Sequence, residues 1–82
     1  MSDQELLSRI TFDNKVMTGK PVVKGTRLTV EYILNLLAHG ESSGGILKEY
    51  DGLSTEDIQA CHLFASRSLE SAAFIPLAVE TA

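Results

Sequence analysis

The chain has 82 residues, seven Lys and Arg against eleven Asp and Glu, a formal net charge of −4 and one cysteine. That length suits one domain and buries only about 60–65% of the unfolded surface, a lone cysteine excludes an internal disulfide framework, and no stretch approaches the roughly 20 apolar residues of a membrane-spanning helix. The negative balance excludes a protein that coats nucleic acid indiscriminately, because such binding is dominated by neutralising phosphates.

In chain order, residues 1–8 read as a flexible lead or a frayed helical turn. They begin acidic and lack the basic-then-apolar layout of a secretory signal, from which a cytoplasmic location is expected. Residues 9–29 form an extended ribbon segment. Ile10-Thr11-Phe12 is a short strand that ends at the turn formers Asp13-Asn14, and Val22-Val23 suits a second strand paired with it as a hairpin. The residue before Pro21 is pushed toward extended geometry, and Gly25 permits a sharp or left-handed turn. Two such strands are marginal alone, so the ribbon lies on the helices or pairs across a dimer, the dimer being preferred.

Residues 30–71 read as three helices. Thr29 caps the first, whose Val30, Ile33, Leu34 and Leu37 recur at i, i+3, i+4 and i+7, and His39-Gly40 closes it. The second turns Ile46, Leu47 and Tyr50 inward, with a weak start because Gly44 and Gly45 each cost about 1 kcal/mol relative to Ala. Asp51-Gly52 is a turn, Leu53 a core plug, and Ser54 with Asp57 a capping box for the third helix. On that helix Ile58, Cys61, Ala65 and Leu69 make one stripe, widened by Ala60 and Phe64. It offers more apolar surface than two short helices cover. Residues 72–82 are an apolar arm interrupted by Pro76.

Catalytic and metal chemistry find little support. Gly19-Lys20 fails as a phosphate loop, with Asn14 where the first Gly belongs and Pro21 where the hydroxyl belongs. Cys61 and His62 project about 100° apart on a helix and do not converge on one ion. No enzyme activity, cofactor or metal is therefore expected.

Binding surfaces are the better prospect. Residues 1–29 carry five cations and three anions, whereas residues 30–82 carry two cations and eight anions. Lys20, Lys24 and Arg27 on the ribbon are the candidate DNA contacts, doubled in a dimer. The plainer alternative is solvated cations, with Arg27 paired to Glu31. The second and third helices outline a helix-turn-helix in which Gln59 reads adenine, although Glu56 and Asp57 at the start of the third would repel phosphates. Phe64 and the arm residues Phe74, Ile75, Leu77 and Val79 are the candidate protein-binding set.

The run from Arg9 to Asp13, then Gly19-Lys20-Pro21-Val22-Val23-Lys24-Gly25-Thr26-Arg27-Leu28-Thr29-Val30, then Ile33-Leu34, Gly40, Ile46, Tyr50, Leu53 and Asp57-Ile58, resembles the prokaryotic domain of unknown function 433 family. It departs from that pattern at Asp51-Gly52, where the family often has Pro-x, and at Gly44-Gly45, where charged residues are usual. The resemblance implies a mainly α, homeodomain-like three-helix bundle preceded by a short β-ribbon, commonly dimeric. It also implies likeness to VapB-type antitoxins that bind and neutralise a PIN-like ribonuclease toxin and can repress their operon. A stand-alone DNA-binding regulator and a structural dimer module are the alternatives.

Overall fold

A computed structural model describes residues 1–12, 15 and 19–70. The elements run α1 (Asp3–Leu7), β1 (Ile10–Phe12), β2 (Pro21–Val23), α2 (Val30–Ala38), α3 (Ser43–Glu49) and α4 (Thr55–Glu70). The protein is thus a small, mainly helical bundle with a two-stranded antiparallel ribbon in which Ile10 faces Val23, Thr11 faces Val22 and Phe12 faces Pro21. The arm at 72–82 and the Asp13-Asn14 turn lie outside the described residues.

Each long helix begins where a side chain satisfies free amides. Thr29 Oγ1 accepts from the Tyr32 N–H at 2.9 Å. At α4 the box is reciprocal, with the Ser54 N–H donating to Asp57 Oδ2 at 2.9 Å and the Asp57 N–H to Ser54 Oγ at 3.3 Å. The glycine-rich opening of α3 has a cap as well, since the Gly45 N–H donates to Ser42 Oγ at 3.0 Å. Gly40 ends α2 at φ +97°, where its N–H meets the Leu37 carbonyl and the Glu41 N–H meets that of Leu36. That left-handed stop satisfies two otherwise free carbonyls.

The core is Val23, Val30, Ile33, Ile46, Leu53, Ile58 and Cys61, drawn from β2, all three longer helices and the α3–α4 corner. The ribbon is covered within its own chain: Val22 and Val23 are 1% and 0% exposed beneath the helices. The paired-across-a-dimer arrangement expected for it is not what buries these valines.

Two further expectations change. The lead is a helix, α1, closed by a capping box in which the Ser2 N–H donates to Glu5 Oε1 at 2.9 Å and the Glu5 N–H to Ser2 Oγ at 3.1 Å. These bonds from Ser2 hold the Glu5 carboxyl below its ordinary range. Helix α1 packs chiefly along α4, where Arg67 Nη2 reaches Asp3 Oδ2 at 2.7 Å. The stripe on α4 also ends early, with Leu69 61% exposed. At 16 residues α4 outruns α2 and α3, which have nine and seven, and among the described residues Leu69 on its last turn is left uncovered.

The least exposed of the ion pairs between the N-terminal third and this bundle is Arg9 with Asp57. Arg9 Nη1 donates to Asp57 Oδ1 at 3.1 Å and lies 3.4 Å from Ser54 Oγ, while the Asp57 residue is only 7% exposed. Asp57→Ala removes a cap and leaves a half-buried guanidinium unpaired. It is expected to lower unfolding free energy by about 2 kcal/mol, and Arg9→Met by about 1 kcal/mol. Urea denaturation of both single variants and the double variant checks this, with the double costing less than the sum of the singles.

Candidate functional site

The ribbon corner is built by two residues that sequence reasoning treated mainly as turn material. Gly25 sits at φ +84°, a left-handed conformation. Thr26 then locks the turn: its N–H and Oγ1 both donate to the Val23 carbonyl, at 3.0 and 2.8 Å, and its Oγ1 accepts from the Leu28 N–H at 3.0 Å. The consequence is that Lys24 and Arg27 flank a rigid turn and project into solvent.

The four residues expected to touch DNA are placed in different settings. Lys20 is engaged by Glu31 at 2.9 Å, so Glu31 takes Lys20 and not Arg27 as its partner. Both side chains are exposed, and such a pair contributes little. Lys24 lines an open cavity of about 620 Å³ with Arg9, Ser54 and Asp57, whereas Arg27 lines a smaller apolar depression with Leu28, Thr29 and Tyr32. Gln59 faces the groove between α1 and α4, beside Leu6, His62 and Leu63. Among the described residues neither Lys24 nor Arg27 forms an ion pair. The expected repulsion at the start of α4 is softened, because Asp57 is buried against Arg9 and leaves Glu56 as the more open carboxylate.

On the protein-binding side, Phe64 is half-buried and packs on the core. Its ring lies 6.0 Å from that of Phe12 at an interplanar angle of 56°. Phe12 is 61% exposed. Phe74, Ile75, Leu77 and Val79 fall outside the described residues. Phe12 is the exposed aromatic that sequence reasoning did not single out. Its signal was the two-residue alternation that puts it on the face of Ile10, a residue packed against the core.

A second aromatic pair closes the α2–α3 side. The Tyr32 and Tyr50 hydroxyls are 2.7 Å apart and their rings meet edge to face at 88°. That hydrogen bond, followed by loss of hydration, pushes the Tyr50 phenol up to about 12. Cys61 is fully buried, and loss of hydration with the nearby Asp57 charge pushes its thiol up to about 12. It behaves as a small hydrophobe. Among the described residues no three His, Cys, Asp or Glu side chains gather to hold a metal, and no helix is long and apolar enough to cross a membrane.

Fold and surface together describe a small helical domain with a cationic ribbon corner and, among the described residues, an exposed aromatic edge. Residues 10–65 match the family model described as "Protein of unknown function (DUF433)", and the chain belongs to that family. No curated protein and no solved structure matches it.

The Cys61 and Tyr50 environments predict alkaline sensitivity. Both groups release protons more readily when unfolded, so above about pH 9 the native state binds more protons and stability falls as pH rises. Urea midpoints from pH 7 to 11 should decline from about pH 9, and Cys61→Ala should flatten part of that decline. In the native protein Cys61 should react with a thiol reagent only at the rate of global or local opening.

Proposed function

We propose that this protein is a non-enzymatic antitoxin that binds and neutralises a PIN-like ribonuclease, gripping it at the aromatic edge formed by Phe12, Phe64 and the end of α4. The observation that supports this reading is the exposure of Phe12 and Leu69, at 61% each, on a domain whose other large apolar side chains are mostly covered. Phe12 is the last residue of β1, and Leu69 lies on the last turn of α4. Large apolar side chains in such positions are the anchors of protein interfaces.

The chain continues from α4 into Ala72-Ala73-Phe74-Ile75-Pro76-Leu77-Ala78-Val79, an apolar sequence suited to threading into a partner's groove. Inhibition on this reading is steric: the arm occupies the ribonuclease cleft while the aromatic edge anchors it. Operator binding is a secondary role, resting on Lys24 and Arg27, which the rigid Gly25-Thr26 turn presents to solvent, and on their duplication in a homodimer.

Co-expression with a PIN-like ribonuclease, taken from any reading frame next to the gene that encodes one, tests the proposal. The intact chain should restore growth and co-purify with the enzyme. The double substitution Phe12→Ser with Leu69→Ser should weaken that complex by about tenfold or more while changing the stability of the free protein by no more than about 1 kcal/mol. Equal rescue by this variant and by a chain ending at Ser71 would overturn the reading.

A further inference from the structure

We propose that the cavity between the end of the ribbon and the start of α4 binds a phosphate group, held by Arg9 and Lys24. The site is independent of the ribonuclease reading, since Phe12 and Leu69 are not among its lining residues.

Backbone pairing brings the two cations together. The Lys24 N–H donates to the Arg9 carbonyl at 2.8 Å, one step beyond the β1–β2 ladder, so the residues sit opposite each other across the ribbon end. Their side chains line the same cavity of about 620 Å³, together with Glu5, Gly52, Ser54 and Asp57. Met1 and Ser8 complete the lining, whose side chains bring two cations and two carboxylates. The donors and acceptors are not in balance, however.

Both carboxylates are already engaged. Asp57 Oδ1 accepts from Arg9 and Oδ2 from the Ser54 N–H, and Glu5 Oε1 accepts from the Ser2 N–H. The cations keep capacity to spare. Arg9 uses Nη1 alone for Asp57 and Ser54, which leaves its Nε and Nη2 hydrogens, and Lys24 makes no side-chain bond among the described residues. An oxyanion with several acceptor atoms is the ligand that answers the guanidinium hydrogens Asp57 leaves over and an ammonium with no side-chain partner among the described residues. The start of α4 adds no vacancy, because Ser54 and Asp57 already cap it. The groove of similar size along α1 and α4, lined by Leu6, Gln59, His62 and Leu63, has no such pair of cations.

The carboxylates held against Arg9 lower the local potential, so affinity is expected to be modest, with a Kd on the order of 1 mM for inorganic phosphate at low ionic strength. The shared chemistry admits two sources, a free phosphorylated small molecule or the backbone of a duplex. Proton–nitrogen correlation spectra of the full chain, titrated with inorganic phosphate and separately with a short mixed-sequence duplex, distinguish them. Saturable shifts at the Lys24, Gly52 and Ser54 amides and at Arg9 Nε are expected with phosphate, and none with chloride at matched ionic strength.

Lys24→Ala should raise the phosphate Kd about fivefold, while Lys48→Ala leaves it unchanged. Arg9 is read through its own Nε signal, because substituting it also disturbs Asp57. Response to phosphate alone supports a small-molecule source, and response to both supports backbone contact. The proposal is overturned by shifts that chloride reproduces, by shifts insensitive to Lys24→Ala, or by no response of the cavity to either titrant.

Discussion

Asp57 is the point on which the arrangement turns. One carboxylate oxygen caps the start of α4 through the Ser54 amide, and the other receives Arg9 from the segment between α1 and β1. The cap alone would be a local matter of one helix. By adding Arg9, the same side chain attaches the N-terminal third to the bundle across 48 positions of sequence. Neither strand of the ribbon exceeds three residues, and a two-stranded ribbon has little stability of its own. Its place depends on Val22 and Val23 beneath the helices and on this tether beside them. The Arg9 side chain is 34% exposed, so solvent screens the ion pair, and the hydrogen bonds around Asp57 account for much of its value.

Unequal helix lengths shape the surface in turn. Helices α2 and α3 are shorter than α4 and pack against it, α1 with β1 flanks it, and Arg67 near its C-terminal end is held by Asp3 of α1. What stays exposed there is apolar at Leu69, and the nearby rim carries Phe12 against Phe64. Nine buried hydrophobic residues among those described leave such edges uncovered in so short a chain. The proposed contact with a ribonuclease makes use of this edge, with the binding surface formed where intramolecular packing runs out.

The Gly-Lys-Pro-Val-Val-Lys-Gly-Thr-Arg run, which lies within the residues matched to the DUF433 family, divides into two kinds of residue. Gly25 and Thr26 are accounted for by the turn itself, through a left-handed backbone and three hydrogen bonds. Pro21 starts β2, and the two valines fill the core beside it. The cations are not needed for any of this. Lys20 meets Glu31 on the surface, and Lys24 and Arg27 stand open on opposite sides of the turn, which is why the inferred phosphate site and operator contact both draw on them.

Much of the bundle was legible because its signals are local. Thr29 to Tyr32, Ser54 to Asp57 and Gly40 after His39 are relations within one turn of helix, and the apolar spacing of Val30, Ile33 and Ile58 identifies inward faces without knowledge of what they face. The pairing of Ile10–Phe12 with Val22-Val23 was legible for a similar reason, since β-formers close in sequence pair as hairpins. What only the tertiary structure decided were the relations between elements. Arg9 with Asp57, Glu31 with Lys20 in place of Arg27, α1 against α4, the cover over the valines and the exposure of Phe12 and Leu69 all depend on how separate segments sit in space. Side-chain periodicity says which face of a segment is apolar. It carries no information about the length, direction or charge of the neighbour that will lie against it, and those quantities set the contacts here.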